Sequence, residues 1–144
     1  MPQRPRARLA TKMTPARCNR TILIVEDDPG VSVTFARMLW ISGYRVATAA
    51  DARAGLRALA DEHPAAILVD LRMPGADGIA FVRQVRELES GSPIPIAIIT
   101  GDYTVDEDET QSLRRLRATL YFKPLWLEDL VQIVEQLTGP QPPS

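Results

Sequence analysis

The sequence predicts an α/β fold in which a five-stranded parallel sheet is covered by helices on both faces. Three observations carry this. Short, continuous apolar runs such as Ile22-Leu23-Ile24-Val25 and Ile67-Leu68-Val69 lack the polar alternation of a half-exposed strand, so they belong to strands buried on both sides. Between the runs lie segments whose apolar residues recur at helical spacing. At 144 residues, 45% apolar and 24% charged, the chain can build one full core but not two.

The elements follow in order. The first strand stops at Glu26-Asp27-Asp28, and Pro29-Gly30 then turns the chain into a helix with Val31, Phe35, Met38 and Leu39 on one stripe, ended by Gly43. Tyr44 to Thr48 is a less hydrophobic strand suited to a sheet edge. Asp51 is placed to cap a helix carrying Ala52, Leu56, Leu59 and Ala60. His63, the single histidine, closes that helix before Pro64 and reads as a surface or capping residue, not a catalyst. Ala65 to Val69 is the third strand and delivers Asp70. After the loop Pro74 to Gly78, a third helix turns Ile79, Val82, Val85 and either Leu88 or Phe81 inward, and Gly91-Ser92-Pro93 breaks it. Ile94 to Ile99 is the fourth strand, ending in Thr100-Gly101-Asp102. Acids from Asp106 to Glu109 open a fourth helix and Arg114, Arg115 and Arg117 close it, so its charges run with the helix dipole. Consecutive acids on a helix diverge, which argues against a metal site there. Leu120-Tyr121-Phe122 is a short fifth strand before Lys123-Pro124, and the last helix, Leu127 to Leu137, is expected to bury Leu127, Leu130, Val131, Val134 and Leu137.

The net charge of -1 conceals an asymmetry, because six of the 17 basic residues (Arg4, Arg6, Arg8, Lys12, Arg17 and Arg20) precede residue 21 without an acid among them. Residues 1–20 are therefore expected to be a basic, disordered arm, residues 21–138 the folded domain, and residues 139–144 a Pro-rich tail. The arm lacks the apolar centre of a secretory signal, and no apolar run reaches the ~20 residues of a membrane span, so a cytoplasmic protein is expected. Cys18, the single cysteine, can form neither an internal disulfide nor a metal cluster and receives no role.

Polar groups end four of the five strands: Glu26 and Asp27, then Asp70, then Thr100, then Lys123. In an open α/β sheet, sites form beyond the carboxyl ends of the strands where strand order reverses. Three carboxylates converging there repel one another and raise at least one pKa unless a cation holds them. Oxygen-only ligation without nearby histidine or cysteine suits a hard ion, and a small ligand set open to water and phosphate suits Mg²⁺ over Ca²⁺. An ammonium at Lys123 and a hydroxyl at Thr100 complete a clamp for a phosphoryl group, with Asp70 as a carboxylate nucleophile.

These stretches, Ile22 to Pro29, Leu68 to Gly78, Ile98 to Gly101 and Phe122 to Pro124, together resemble the receiver domain of two-component response regulators, in its single-domain chemotaxis form. The resemblance spans residues 21 to about 138. It implies a flavodoxin-like (βα)5 fold with strand order 2-1-3-4-5. It also implies a phosphorelay role in which Asp70 accepts a phosphoryl group from a sensor histidine kinase or a histidine phosphotransfer protein. Glu26 and Asp27 match the acidic metal pair, and the backbone carbonyl of Arg72 matches a further Mg²⁺ ligand. Lys123 is matched to a partner of Asp70 or the phosphate, Thr100 to the switch hydroxyl, and Asp28 to no ligand position. Such a protein is not a metabolic enzyme; it catalyses its own aspartyl phosphorylation and dephosphorylation and signals by binding an unknown downstream protein, with room for a homodimer. One helix and a short tail follow Lys123, so no DNA-binding domain is expected.

The pattern departs from the family at Leu120, where an aromatic switch residue usually stands three positions before the lysine. Tyr121 is one place along and on the opposite face. Arg117-Ala118 replaces the usual Gly-Ala pair. Arg72 and Asp102 stand two positions beyond Asp70 and Thr100, where a salt bridge would lie across a bound phosphoryl group. Two other readings stay open: a receiver-fold adaptor that works without phosphate, and a Mg²⁺-dependent phosphohydrolase of the haloacid dehalogenase type. The latter usually carries Asp-x-Asp after its first strand, and here Arg72 stands where the second acid belongs.

Overall fold

The computed structural model describes residues 20–73, 77–88 and 93–139. The basic arm through residue 19 with Cys18, the Pro74–Ala76 part of the third-strand loop, Gly91-Ser92 and the tail from residue 140 lie outside the described residues.

Strands and helices alternate: β1 (Thr21–Val25), α1 (Pro29–Ile41), β2 (Arg45–Ala49), α2 (Ala52–Glu62), β3 (Ala66–Asp70), α3 (Gly78–Glu87), β4 (Ile96–Thr100), α4 (Glu107–Arg115), β5 (Ala118–Phe122) and α5 (Leu127–Thr138). The five strands are parallel in the order β2-β1-β3-β4-β5, as the resemblance implied. Because side chains alternate across a strand, the sheet serves two cores. Leu23, Val25, Ile67, Val69, Ile96 and Ile98 pack with Leu59 of α2, Phe81, Val82 and Val85 of α3 and Leu113 of α4. On the other face Ile22, Ile24, Ala66, Leu68, Ala97 and Ile99 pack with Phe35 and Leu39 of α1 and Leu130, Ile133 and Val134 of α5. Each Val, Leu, Ile or Phe side chain fully buried there contributes about 1.5–3 kcal/mol, which is why the apolar runs dominate the fold.

Local chemistry sets the helix ends. Asp28 Oδ1 accepts from the N–H groups of Gly30 (2.8 Å) and Val31 (3.3 Å), Asp51 caps α2 through Ala54 N–H, and Asp77 caps α3 through Ala80 N–H. His63 is the C-cap of α2 in the left-handed conformation (φ 47°), the capping role expected of it. The acids before α4 also work locally: Asp106 and Glu109 form a reciprocal capping box.

Packing corrects several sequence expectations. Gly55 lets α2 lie against Phe81 and Val25, since a Cβ there would stand 2.9 Å and 3.1 Å from their side chains. The contact face of α2 thus centres on Gly55 and Leu59, leaving Ala60 exposed and Ala52 and Leu56 half-buried. In α3, Phe81 takes the inward position and Leu88, beyond the last turn, is exposed. In α5 the buried line runs through Leu130, Ile133 and Val134; Val131 is only half-buried, and Leu127, opening the helix with no turn before it, is exposed. The second and fourth strands each start later than expected, at Arg45 and Ile96.

Gly78 is where the helix after β3 comes closest to the sheet. Its N–H donates to Leu71 O at 2.7 Å, and a Cβ would fall 2.6 Å from Asp70 O and 3.0 Å from Leu71 Cα. The obstruction is backbone, so the loop below Asp70 must move. Gly78→Ala is expected to lower stability by about 1–3 kcal/mol in urea unfolding, and an unchanged midpoint would contradict this close approach.

Candidate functional site

Parallel register brings the strand ends together. Val25 is level with Val69, Asp70 with Ile99, and Thr100 with Phe122, so Glu26, Asp70, Thr100 and Lys123 emerge side by side at the carboxyl edge. The order reverses between β1 and β3, which opens the crevice there. Lys123 follows Phe122 into a cis Lys123-Pro124 peptide, with its N–H on Thr100 O at 2.8 Å.

One oxygen each from Glu26, Asp27 and Asp70 lies within 4.8 Å of the others, a group able to hold a metal ion. Lys123 Nζ lies 2.9 Å from Glu26 Oε1 and 3.9 Å from Asp70 Oδ1, so the ammonium is closer to Glu26 than to Asp70. Glu26 is 4% exposed and its other oxygen accepts from Asp28 N–H at 3.2 Å. Asp28 spends its own side chain on capping α1, which explains why it is not part of the cluster.

The charges in this crevice do not balance. Among the described residues three carboxylates face one ammonium, and the Asp70 side chain is only 10% exposed. Burial, then the charge of Glu26, push the Asp70 carboxyl from 3.8 up to about 7, against the opposing pull of Lys123 and of Arg72 N–H, which lies 3.4 Å from Oδ1. The repulsion expected from converging carboxylates is thus present, and it falls on Asp70. A cation of hard character fits this oxygen-only donor set and its excess negative charge.

A second charged cluster lies beside the first. Arg72 Nε is 2.7 Å from Asp102 Oδ2, the pair anticipated from the sequence. Its terminal nitrogens reach further, to Glu109 in α4: Nη1 to Oε2 at 2.5 Å and Nη2 to Oε1 at 3.0 Å. Glu109 was missed in the sequence; Asp106-x-x-Glu109 is legible as a capping box, but the contact with a residue 37 positions away is not. Asp102 is held by Thr104, whose N–H donates at 2.8 Å and whose hydroxyl donates at 2.5 Å; these bonds, and Arg72, pull its carboxyl down to about 2. Asp102 N–H in turn donates to Thr100 Oγ1 at 3.0 Å, and Thr100 is fully buried. Leu120 packs into the core on the α2–α4 face while Tyr121 packs on the other, as alternation requires. The nearest aromatic pair is instead Tyr103 stacked on Phe122, with centroids 5.1 Å apart, and Tyr103 hydroxyl donates to Lys123 O.

A profile of the response regulator receiver domain matches residues 22–135. The chain belongs to this family. It is a receiver domain of two-component response regulators. It is 33% identical over 116 residues to the transcriptional regulatory protein PrrA of Mycobacterium tuberculosis, covering 81% of this chain and 48% of that protein. The chain thus spans about half the length of such curated relatives. Among solved structures it is similar to the chemotaxis protein CheY4 of Vibrio cholerae (27% identity, TM-score 0.76, 82% of this chain and 98% of that one). It is also similar to the receiver domain of sensor histidine kinase PA1611 from Pseudomonas aeruginosa, solved with magnesium coordinated in its active-site cleft (30% identity, TM-score 0.74, 84% and 98%). The phosphohydrolase alternative therefore has no support. Among the described residues, no helix is long and apolar enough to cross a membrane.

The raised Asp70 carboxyl has a stability consequence. Between about pH 4 and pH 7 the unfolded chain has released this proton and the folded receiver has not, so metal-free stability falls as pH rises through that window. Asp70→Asn removes the effect. In thermal unfolding with chelator, the wild type is expected to lose stability from pH 5 to pH 8 relative to Asp70→Asn, by at most about 3 kcal/mol; parallel pH profiles would contradict the assignment.

Proposed function

We propose that Asp70 is the phosphoacceptor of this receiver. The observation that carries the reading is a nearly buried carboxylate at the end of β3, at the reversal point of the sheet, with two more carboxylates and one ammonium around it. In this reading an Asp70 oxygen attacks the phosphorus of a phosphohistidine on a sensor kinase or phosphotransfer protein, and the P–N bond breaks as the imidazole leaves. The product is an acyl phosphate on Asp70.

Glu26, Asp27, Asp70 and the Arg72 carbonyl would hold Mg²⁺, which when bound offsets charge on the transferring phosphoryl oxygens. Lys123 has an ammonium already within 3.9 Å of Asp70, and it moves from its carboxylate partners onto the phosphoryl group. Thr100 supplies a hydroxyl to the same oxygens, exchanging its bond from Asp102 N–H. The pull on Thr100 biases the receiver between two arrangements of the α4–β5 surface, where an unknown downstream protein or a second copy binds. We place the domain at residues 21–138, flanked by the basic arm and the Pro-rich tail, in the cytoplasm.

The ion pair between Arg72 and Asp102 bears on the lifetime of the phosphorylated state. It joins the loops after β3 and β4, and in this reading it would lie across the approach of a water attacking an aspartyl phosphate. Incubation with acetyl phosphate and Mg²⁺ should add one phosphoryl group, seen by intact mass; Asp70→Asn or chelation should abolish it. Arg72→Ala and Asp102→Ala should then speed dephosphorylation by about 2–5-fold, the scale of one exposed ion pair. Absence of any adduct would favour the phosphate-independent adaptor, and unchanged rates would remove the lifetime role.

A further inference from the structure

Arg72 touches both the site and α4. Its backbone N–H points at the Asp70 carboxylate, while its guanidinium grips the first turn of α4 through Glu109 with two parallel hydrogen bonds. The geometry matters because Glu109 engages both terminal nitrogens, Nη1 and Nη2, and a guanidinium fork can pair bidentately with a phosphoryl group as readily as with a carboxylate. Asp102 occupies only Nε. A phosphoryl group on Asp70 that drew on the terminal nitrogens would compete with Glu109 for them.

Resting on the reading of Asp70 as phosphoacceptor, we infer that Glu109 is a positioning residue: it holds Arg72 on α4 in the unphosphorylated receiver, and phosphorylation draws the guanidinium off and frees the first turn of α4. Two observations make the exchange feasible. The Arg72 side chain is 39% exposed and that of Glu109 20%, so the pair is screened by solvent and open to competition from a doubly charged anion. Releasing Arg72 also leaves the helix capped, because Glu109 N–H bonds Asp106 Oδ1 at 2.8 Å and Asp106 N–H bonds Glu109 Oε1 at 3.2 Å without Arg72. The helix loosens its tether to the site and stays a helix. This route needs no aromatic side chain at Leu120, which is half-buried against the core.

Hydrogen exchange of the full chain, followed by mass spectrometry over residues 102–113 with and without acetyl phosphate and Mg²⁺, tests this. In the wild type, phosphorylation should accelerate exchange in that segment about 5-fold, the scale of losing one such contact. Glu109→Gln keeps the capping box, since glutamine serves equally at that position, but weakens the hold on Arg72. It should raise exchange without phosphorylation and show little further change with it; Arg72→Ala should do the same. An adduct on Asp70 that leaves wild-type exchange in residues 102–113 unchanged would overturn the inference alone. So would a phosphorylation-dependent change that survives in Glu109→Gln, which is what a merely structural glutamate predicts. Failure to form any adduct would overturn the phosphoacceptor reading and this inference with it.

Discussion

The structure turns on one electrostatic constraint: Asp70 is delivered by a buried strand into a crevice that already holds Glu26 and Asp27, and a single ammonium cannot balance them. Every element near the crevice bears on that imbalance. The parallel register sets Glu26 and Asp70 level, so the repulsion cannot be relieved by sliding one strand. Lys123 leans towards Glu26, leaving Asp70 the less compensated of the two. Gly78 lets α3 press on the Asp70 carbonyl. A carboxylate kept in this condition is primed for a cation, and Mg²⁺ bound there would offset its charge and that of an incoming phosphoryl group.

Much of this was legible in the sequence because it depends on patterns that act locally. Runs such as Ile22 to Val25 state that both faces of a strand are covered, and a polar residue directly after each run states where the site lies. Arg72 and Asp102 could be paired in advance, since each stands two residues beyond a strand end and the strands are neighbours. Helix phase was harder. A glycine counts for little in an apolar pattern, yet Gly55 is where α2 meets Phe81, and that contact turns Ala60 outward. Glu109 was illegible for a different reason: its partner lies in another loop, and its sequence context is fully explained by the cap it forms with Asp106.

The family resemblance and the physical reading agree on the chemistry and part company on its transmission. Leu120 stands half-buried against the core where the family usually carries an aromatic, and the side chains that span from the site to α4 are charged ones. The Tyr103 and Phe122 rings lie on the outside of the same region, tied to the backbone of Lys123. A receiver wired this way converts a change of charge at Asp70 into a change of partners for Arg72, so its switch is electrostatic before it is steric.

The charge imbalance at Asp70 is the premise of all of this, and it can be observed directly. Carboxyl ¹³C NMR of the metal-free receiver, with the Asp70 resonance identified by its loss in Asp70→Asn, should show a titration midpoint near 7 that falls into the ordinary carboxylate range once Mg²⁺ saturates the site. A midpoint near 3.8 without metal, or one that Mg²⁺ does not move, would contradict the account.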